Sequence, residues 1–132
     1  MVTGVKRIRL AGHAHTDERG WVVNPIDWVE PHERGMHNLH VASIEPGCTR
    51  GNHYHRHSTE WLFVFGGNAT LYWRDHQDTS IHEEMVTESE PGLFEIPPHV
   101  EHAIRNTSTR TIYLMAFRDV EEQDTVRTSY IS

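Results

Sequence analysis

Apolar residues along this chain come in short runs, some alternating with polar positions and some continuous, and polar turns separate them at close intervals. Turn signals stand at Glu45-Pro46-Gly47, Gly66-Gly67-Asn68, Arg74-Asp75-His76-Gln77-Asp78, Glu90-Pro91-Gly92 and Pro97-Pro98. Between them, runs rich in β-branched and aromatic residues predict strands over Val5–Leu10, Gly20–Val23, Met36–Ile44, Trp61–Phe65, Ala69–Trp73, His82–Val86, Leu93–Ile96, Glu101–Arg105 and Thr111–Phe117. No window keeps a helical apolar period for three turns. Many short strands at roughly 8–12-residue spacing predict an all-β sandwich or barrel.

Two of these runs are apolar on both faces. Trp61, Phe63 and Phe65 oppose Leu62 and Val64, and Ile112–Phe117 repeats the pattern. Such strands suit a barrel interior on one side and a second sheet or second subunit on the other, so a homodimer is expected. From Val120 onward the chain is polar, and only Tyr130 and Ile131 offer apolar anchors. No repeat, low-complexity tract or second domain is legible, and a single domain over residues 1–132 is expected. A chain of this length can bury roughly two-thirds of its unfolded surface and needs no disulfide to fold.

Charge and composition narrow the partners. A formal net charge of −7 and a pI near 5.9 argue against nucleic acid, since Lys6, Arg7 and Arg9 make only a short basic patch. The single cysteine, Cys48, excludes an intramolecular disulfide and suits a reducing compartment. The N-terminus lacks the apolar core of a signal peptide, and no segment approaches the roughly 20 apolar residues of a membrane span. A cytoplasmic location without membrane contact is expected. The oddity is 12 histidines against one lysine. Histidine is the commonest metal ligand, although His13, His15, His32, His76 and His82 sit among polar residues and read as solvated.

The histidines concentrate in Gly47–Gly67, GCTRGNHYHRHSTEWLFVFGG. Residues two apart on a strand point to one side about 6.5 Å apart, so His53 and His55 can face a barrel interior together. Glu60 has the wrong parity for a continuous strand, but the polar Arg56-His57-Ser58-Thr59 can turn the chain and let Glu60 open the next strand facing inward. His102, beyond the Pro97-Pro98 break, is a fourth candidate. Three imidazoles and a carboxylate suit one divalent transition metal, Fe, Mn, Ni or Zn, and the absence of cysteine ligands argues against a structural zinc site. Four protein ligands leave one or two positions open for a substrate.

The spacing resembles that of the cupins. Their first motif, G-x5-H-x-H-x4-E-x6-G, is matched at Gly47, His53, His55, Glu60 and Gly67. The second, G-x5-P-x-G-x2-H-x3-N, is matched at Gly92, Pro97, His102 and Asn106, with one residue fewer before the proline and His99 in place of the internal glycine. That substitution is expected to bend the turn differently and makes His99, like His57, an alternative ligand. The resemblance implies a double-stranded β-helix, the cupin jelly-roll barrel, with His53, His55, Glu60 and His102 as metal ligands.

Cupins host many chemistries, and two segments narrow the choice. Thr16–Val23, TDERGWVV, resembles the D-x-R-G strand of sugar-nucleotide cupins such as dTDP-4-dehydrorhamnose 3,5-epimerases and sugar ketoisomerases. TRGNHYH resembles their R-G-x-H-x-[HQ] strand, and more closely the metal-binding C-terminal cupin of bifunctional capsular-sugar reductase–epimerases. By that likeness Arg50 joins the site. The acidic chain shows no evident basic groove for a pyrophosphate. The expected function is proton transfer beside a carbonyl of a small keto-sugar-like molecule, with an Fe(II)-dependent dioxygenase or a non-catalytic sugar or small-metabolite binding module as alternatives. His37 or His40 is the expected base on a strand beside the metal strand, and by parity only one of them faces inward.

Overall fold

The computed structural model describes residues 4–10, 14–25, 35–76, 78–128 and 131. His13, His32 and Tyr130, singled out above, lie outside the described residues. The strands in chain order are β1 (Lys6–Ile8), β2 (His15–Asp17), β3 (Gly20–Val22), β4 (His37–Ile44), β5 (Thr49–His55), β6 (Glu60–Phe65), β7 (Ala69–Asp75), β8 (His82–Val86), β9 (Gly92–Ile96), β10 (Val100–Asn106), β11 (Ile112–Arg118) and β12 (Thr125–Arg127). They form one sheet of order β1-β9-β6-β11-β4, a second of order β12-β5-β10-β7-β8, and the separate hairpin β2–β3. All pairings are antiparallel. The expected all-β jelly-roll barrel, the double-stranded β-helix, is the fold. Among the described residues no helix is long and apolar enough to cross a membrane.

Alternation along the strands builds the core. Leu62 and Val64 of β6, Leu71 of β7, Phe94 and Ile96 of β9, Ile104 of β10 and Leu114 of β11 meet between the two sheets. Burying each such side chain contributes about 1.5–3 kcal/mol. The opposite face of the first sheet carries a second cluster of Trp61, Phe63, Leu93 and Phe117, packed by Ile8, Leu10 and Val23. Trp21 of the hairpin meets Phe63 and Phe65 edge-on at 5.9 and 6.1 Å. Much of the apolar outer face of β6 is therefore covered from within the chain.

The D-E-R-G segment is the turn of that hairpin. Asp17 Oδ1 accepts from the Arg19 backbone N–H at 2.9 Å, and Oδ2 accepts from the Arg19 guanidinium at 2.6 Å. These bonds hold the half-buried Asp17 carboxyl below the usual carboxylate range.

The polar C-terminal segment is held by more than its expected anchor: Ile131 is buried, and β12 also pairs with β5, placing Thr125 opposite His55 and Arg127 opposite His53. Two expectations are corrected here. The strand β4 does not pair with β5, which carries His53 and His55; it is the outer neighbour of β11, while β5 lies between β10 and β12 in the other sheet. The turn at His99 is not bent away from the glycine form either, because His99 takes φ 65°, the left-handed conformation glycine would supply.

Candidate metal centre

The motif glycine Gly51 and its neighbour Asn52 set the geometry of β5. Both have positive φ, 106° and 58°, and the pairing with β10 slips at this point: His53 opposes His102 while Gly51 opposes Ala103. Asn52 is the extra residue of a β-bulge. Plain alternation would send Arg50 to the face opposite His53 and His55, and the bulge returns it to the same cleft. A Cβ on Gly51 would lie 2.8 Å from the His102 carbonyl oxygen, so the close approach of β5 to β10 requires glycine.

After His55 the chain turns through Arg56–Thr59 and crosses to the other sheet, where Glu60 opens β6 facing the interior, as its spacing anticipated. The turn is clamped by Asp124, which accepts from the backbone N–H groups of His57 and Ser58 at 2.8 and 2.7 Å. His102 comes from β10, directly across from His53.

One donor atom from each of His53, His55, Glu60 and His102 lies within 4.8 Å of the others. Three of the four residues are buried, and His53 is part-buried. The imidazole centroids of His53 and His55 are 5.1 Å apart, and those of His53 and His102 are 4.7 Å apart. Burial, reinforced by the neighbouring His102, pushes His53 down to about 3, so its ring is neutral with a lone pair available. Burial alone would raise the Glu60 carboxyl; the His102 and His55 rings beside it outweigh burial and hold Glu60 well below the usual range. The donor set is thus three imidazoles and one carboxylate anion.

Two details show that these residues fit a divalent metal. His102 Nδ1 donates to the Val100 carbonyl at 3.0 Å. A neutral His102 in this tautomer turns a bare Nε2 lone pair toward Glu60 Oε1 at 3.0 Å, an arrangement a cation satisfies. His55 Nε2 is the buried side-chain polar atom that, among the described residues, has no hydrogen-bond partner. Its separation of 3.6 Å from Glu60 Oε2 is too long for a hydrogen bond. A buried orphan nitrogen is costly unless something binds it.

His53, Glu60 and His102 stand on a cleft of about 530 Å³ whose walls include His40, Arg50, Asn52, Arg127 and Thr128, with His55 buried behind them. Arg127 was missed in the sequence, because it belongs to the segment read as a polar tail. Of the two candidate bases, His40 reaches the cleft and His37 is not among its lining residues. His40 Nδ1 lies 2.7 Å from the Asn38 carbonyl, which can only accept, so Nδ1 carries the proton and Nε2 is a free acceptor. His57 and His99 are exposed and stand outside the donor group; the His99 ring lies 5.8 Å from that of Tyr54. A slightly larger cavity of about 580 Å³, between β1, the hairpin and residues 89–91, is lined by Ile8, Leu10, Trp21 and Val23 and holds none of the four donors.

Residues 15–126 match the family model described as polysaccharide biosynthesis C-terminal domain. The chain belongs to this family. The match runs from β2 into β12 and so includes every donor of the centre. Among curated proteins, the chain is similar to the UDP-2-acetamido-2,6-beta-L-arabino-hexul-4-ose reductase of Pseudomonas aeruginosa, at 28% identity over 115 residues. That similarity covers 84% of this chain, which spans 30% of the reductase's length. Among solved structures, the capsular polysaccharide assembling protein CapF of Staphylococcus aureus superposes with a TM-score of 0.67 at 22% identity, covering 89% of this chain and 34% of CapF. QdtA, a sugar 3,4-ketoisomerase from Thermoanaerobacterium thermosaccharolyticum solved with TDP, gives a TM-score of 0.73 at 16% identity, covering 97% of this chain and 90% of its own. The dTDP-4-dehydrorhamnose 3,5-epimerase of Sulfolobus tokodaii gives 0.68 at 16%, covering 89% and 73%. These likenesses show that the family member described here has the cupin-type fold.

Proposed function

We propose that this chain is a metal-dependent epimerase or isomerase module acting on a nucleotide-linked keto-sugar. The observation that carries the reading is the convergence of His53, His55, Glu60 and His102 within 4.8 Å beneath a cleft that also holds two arginines and a histidine with a free ring nitrogen. The similarity to a reductase of a UDP-linked hexul-4-ose, and the fold shared with a TDP-bound ketoisomerase, support the substrate class. A divalent Zn, Ni, Fe or Mn ion bound by the four donors would act as a Lewis acid on the sugar carbonyl and stabilise charge developing there. The remaining steps belong to side chains. Arg50 and Arg127 give the acidic chain a local pair of cations facing the cleft, suited to the anionic diphosphate. His40 Nε2 takes the proton from the carbon beside the carbonyl, with His37 as the runner-up.

The test is isotope exchange. In D2O, the metal-loaded chain should wash deuterium into TDP-4-keto-6-deoxyglucose, or a UDP-linked counterpart, at the carbon next to the carbonyl. The His40→Ala variant and the metal-stripped chain should not. Oxygen consumption without exchange would reassign the chain as a dioxygenase, and saturable binding with neither would leave a binding module. We propose further that two copies associate through the β4 edge of the first sheet, where Leu39, Val41 and Tyr113 are 54%, 66% and 42% exposed. A monomer by light scattering at micromolar concentration contradicts this.

A further inference from the structure

The surroundings of His55 Nδ1 carry an inference that rests on the metal reading above and concerns residues outside the four donors. Asp124, immediately before β12, is buried. Its Oδ1 lies 3.3 Å from His55 Nδ1 and accepts from Arg118 Nη1 at 2.9 Å. Its Oδ2 accepts from the Ser58 hydroxyl at 2.8 Å and from the two backbone N–H groups of the 57–58 turn. On the same edge of the ring, Thr125 Oγ1 stands 3.1 Å from Nδ1, and its own proton is committed to Gln123 Oε1 at 2.9 Å. Both neighbours of Nδ1 can therefore only accept, which places the ring proton on Nδ1. The other nitrogen, Nε2, is the buried orphan aimed at the donor cluster.

We infer that Asp124 is a positioning residue of the centre: with Thr125 it locks His55 in the tautomer that offers Nε2 to a divalent cation. Arg118 and the 57–58 turn in turn fix Asp124, so the carboxylate is held in place by groups that do not touch the cleft. Metal-binding histidines depend on such an outer partner for ring orientation and basicity, and its loss weakens metal binding by about 10- to 100-fold. The device also explains why a polar C-terminal segment is folded back against β5. Thr128 N–H donates to the Asn52 carbonyl at 2.9 Å, and Ile131 N–H donates to Asn52 Oδ1 at 2.9 Å, so the segment that carries Asp124 is tied to the bulge beside His53.

The test combines zinc titration by calorimetry with long-range 1H–15N spectra of the histidine rings. In the zinc-loaded chain, His55 should keep its proton on Nδ1 and bind zinc through Nε2. Asp124→Asn and Asp124→Ala should bind zinc about 10- to 100-fold more weakly. Ser58→Ala removes the hydroxyl bond to Asp124 but keeps the two backbone N–H bonds of the turn, and should keep nearly the affinity of the unaltered chain. A proton on Nε2, an Asp124 variant that folds and binds zinc unchanged, or a Ser58→Ala loss as large as that of Asp124→Asn overturns the inference. If the Asp124 variants do not fold, the spectrum of the unaltered chain decides alone, since an unprotonated Nδ1 rejects the assignment. If the chain binds none of zinc, nickel, manganese and ferrous iron, the metal reading falls. The spectrum of the metal-free chain then still decides for or against Asp124 by the same criterion.

Discussion

Acidifying the metal-free protein should destabilise it through His53, with a slope set by where that ring sits. In the folded chain burial and the neighbouring His102 hold His53 down to about 3, while in the unfolded chain it returns to about 6.5. Between those values the unfolded state binds a proton that the folded state refuses, so stability falls as the pH falls from 6.5 toward 3. The full effect between pH 7 and pH 4.5 amounts to about 2.5 kcal/mol for one group. Because His53 is only part-buried, solvent screening reduces this to about 1–2 kcal/mol. Glu60 enters only near the lower end of that window and with the same sign, since its folded carboxyl stays ionised throughout while the unfolded one begins to protonate there. The assay is urea unfolding of chelator-treated protein at half-unit pH steps, set beside His53→Gln, which removes the titrating ring. The difference between the two stability curves isolates His53 from the other histidines. A difference curve that is flat from pH 7 to 4.5, or that rises on acidification, refutes the placement of His53 in the buried cluster.

Other outcomes follow from the same geometry. Gly51→Ala should destabilise the chain by about 2–4 kcal/mol, since its Cβ would meet the His102 carbonyl at 2.8 Å and its φ of 106° disfavours any side chain; a change under 1 kcal/mol in urea midpoints contradicts the bulge. His99→Gly relieves a left-handed φ of 65° at the cost of a freer unfolded chain, so the melting temperature should move little, within about 1 kcal/mol of stability, and metal binding should persist. Loss of metal in His99→Gly would make His99 a ligand. Metal at a hundredfold excess over its dissociation constant should add about 2.7 kcal/mol, raising the melting temperature reversibly with chelator, and a thermal scan of Glu60→Ala should show no such shift.

How much of this was legible in the sequence depended on what kind of information each feature needs. The strands with strong apolar patterning were legible, because alternation and turn residues are local signals. The ligand set was legible as a grouping because two-residue spacing and the polar turn before Glu60 are also local. The strands β2 and β12 are short and polar, and their membership comes from pairing partners: β2 closes the Asp17–Gly20 turn on β3, and β12 lies along β5. No local apolar signal marks Thr125-Val126-Arg127, so Asp124 and Arg127 escaped notice. Arg50 entered by resemblance and not by alternation, since counting residues from His53 places it on the wrong face and the bulge at Asn52 corrects that. The two consecutive residues of positive φ, a glycine followed by an asparagine, were the one clue to that bulge available in the chain. The pairing of β4 with β11 instead of β5 reflects the jelly-roll crossover, which neighbours in sequence cannot reveal.

The central claim is that His53, His55, Glu60 and His102 hold one metal ion. Titrating the chelator-treated chain with zinc, nickel, manganese and, without oxygen, ferrous iron tests it most directly, with His55→Ala and His102→Ala alongside. The account predicts one ion per chain for at least one of these metals and loss of stoichiometric binding in both variants. No stoichiometric binding of any of the four, or one ion per chain retained in His55→Ala and His102→Ala alike, would contradict it.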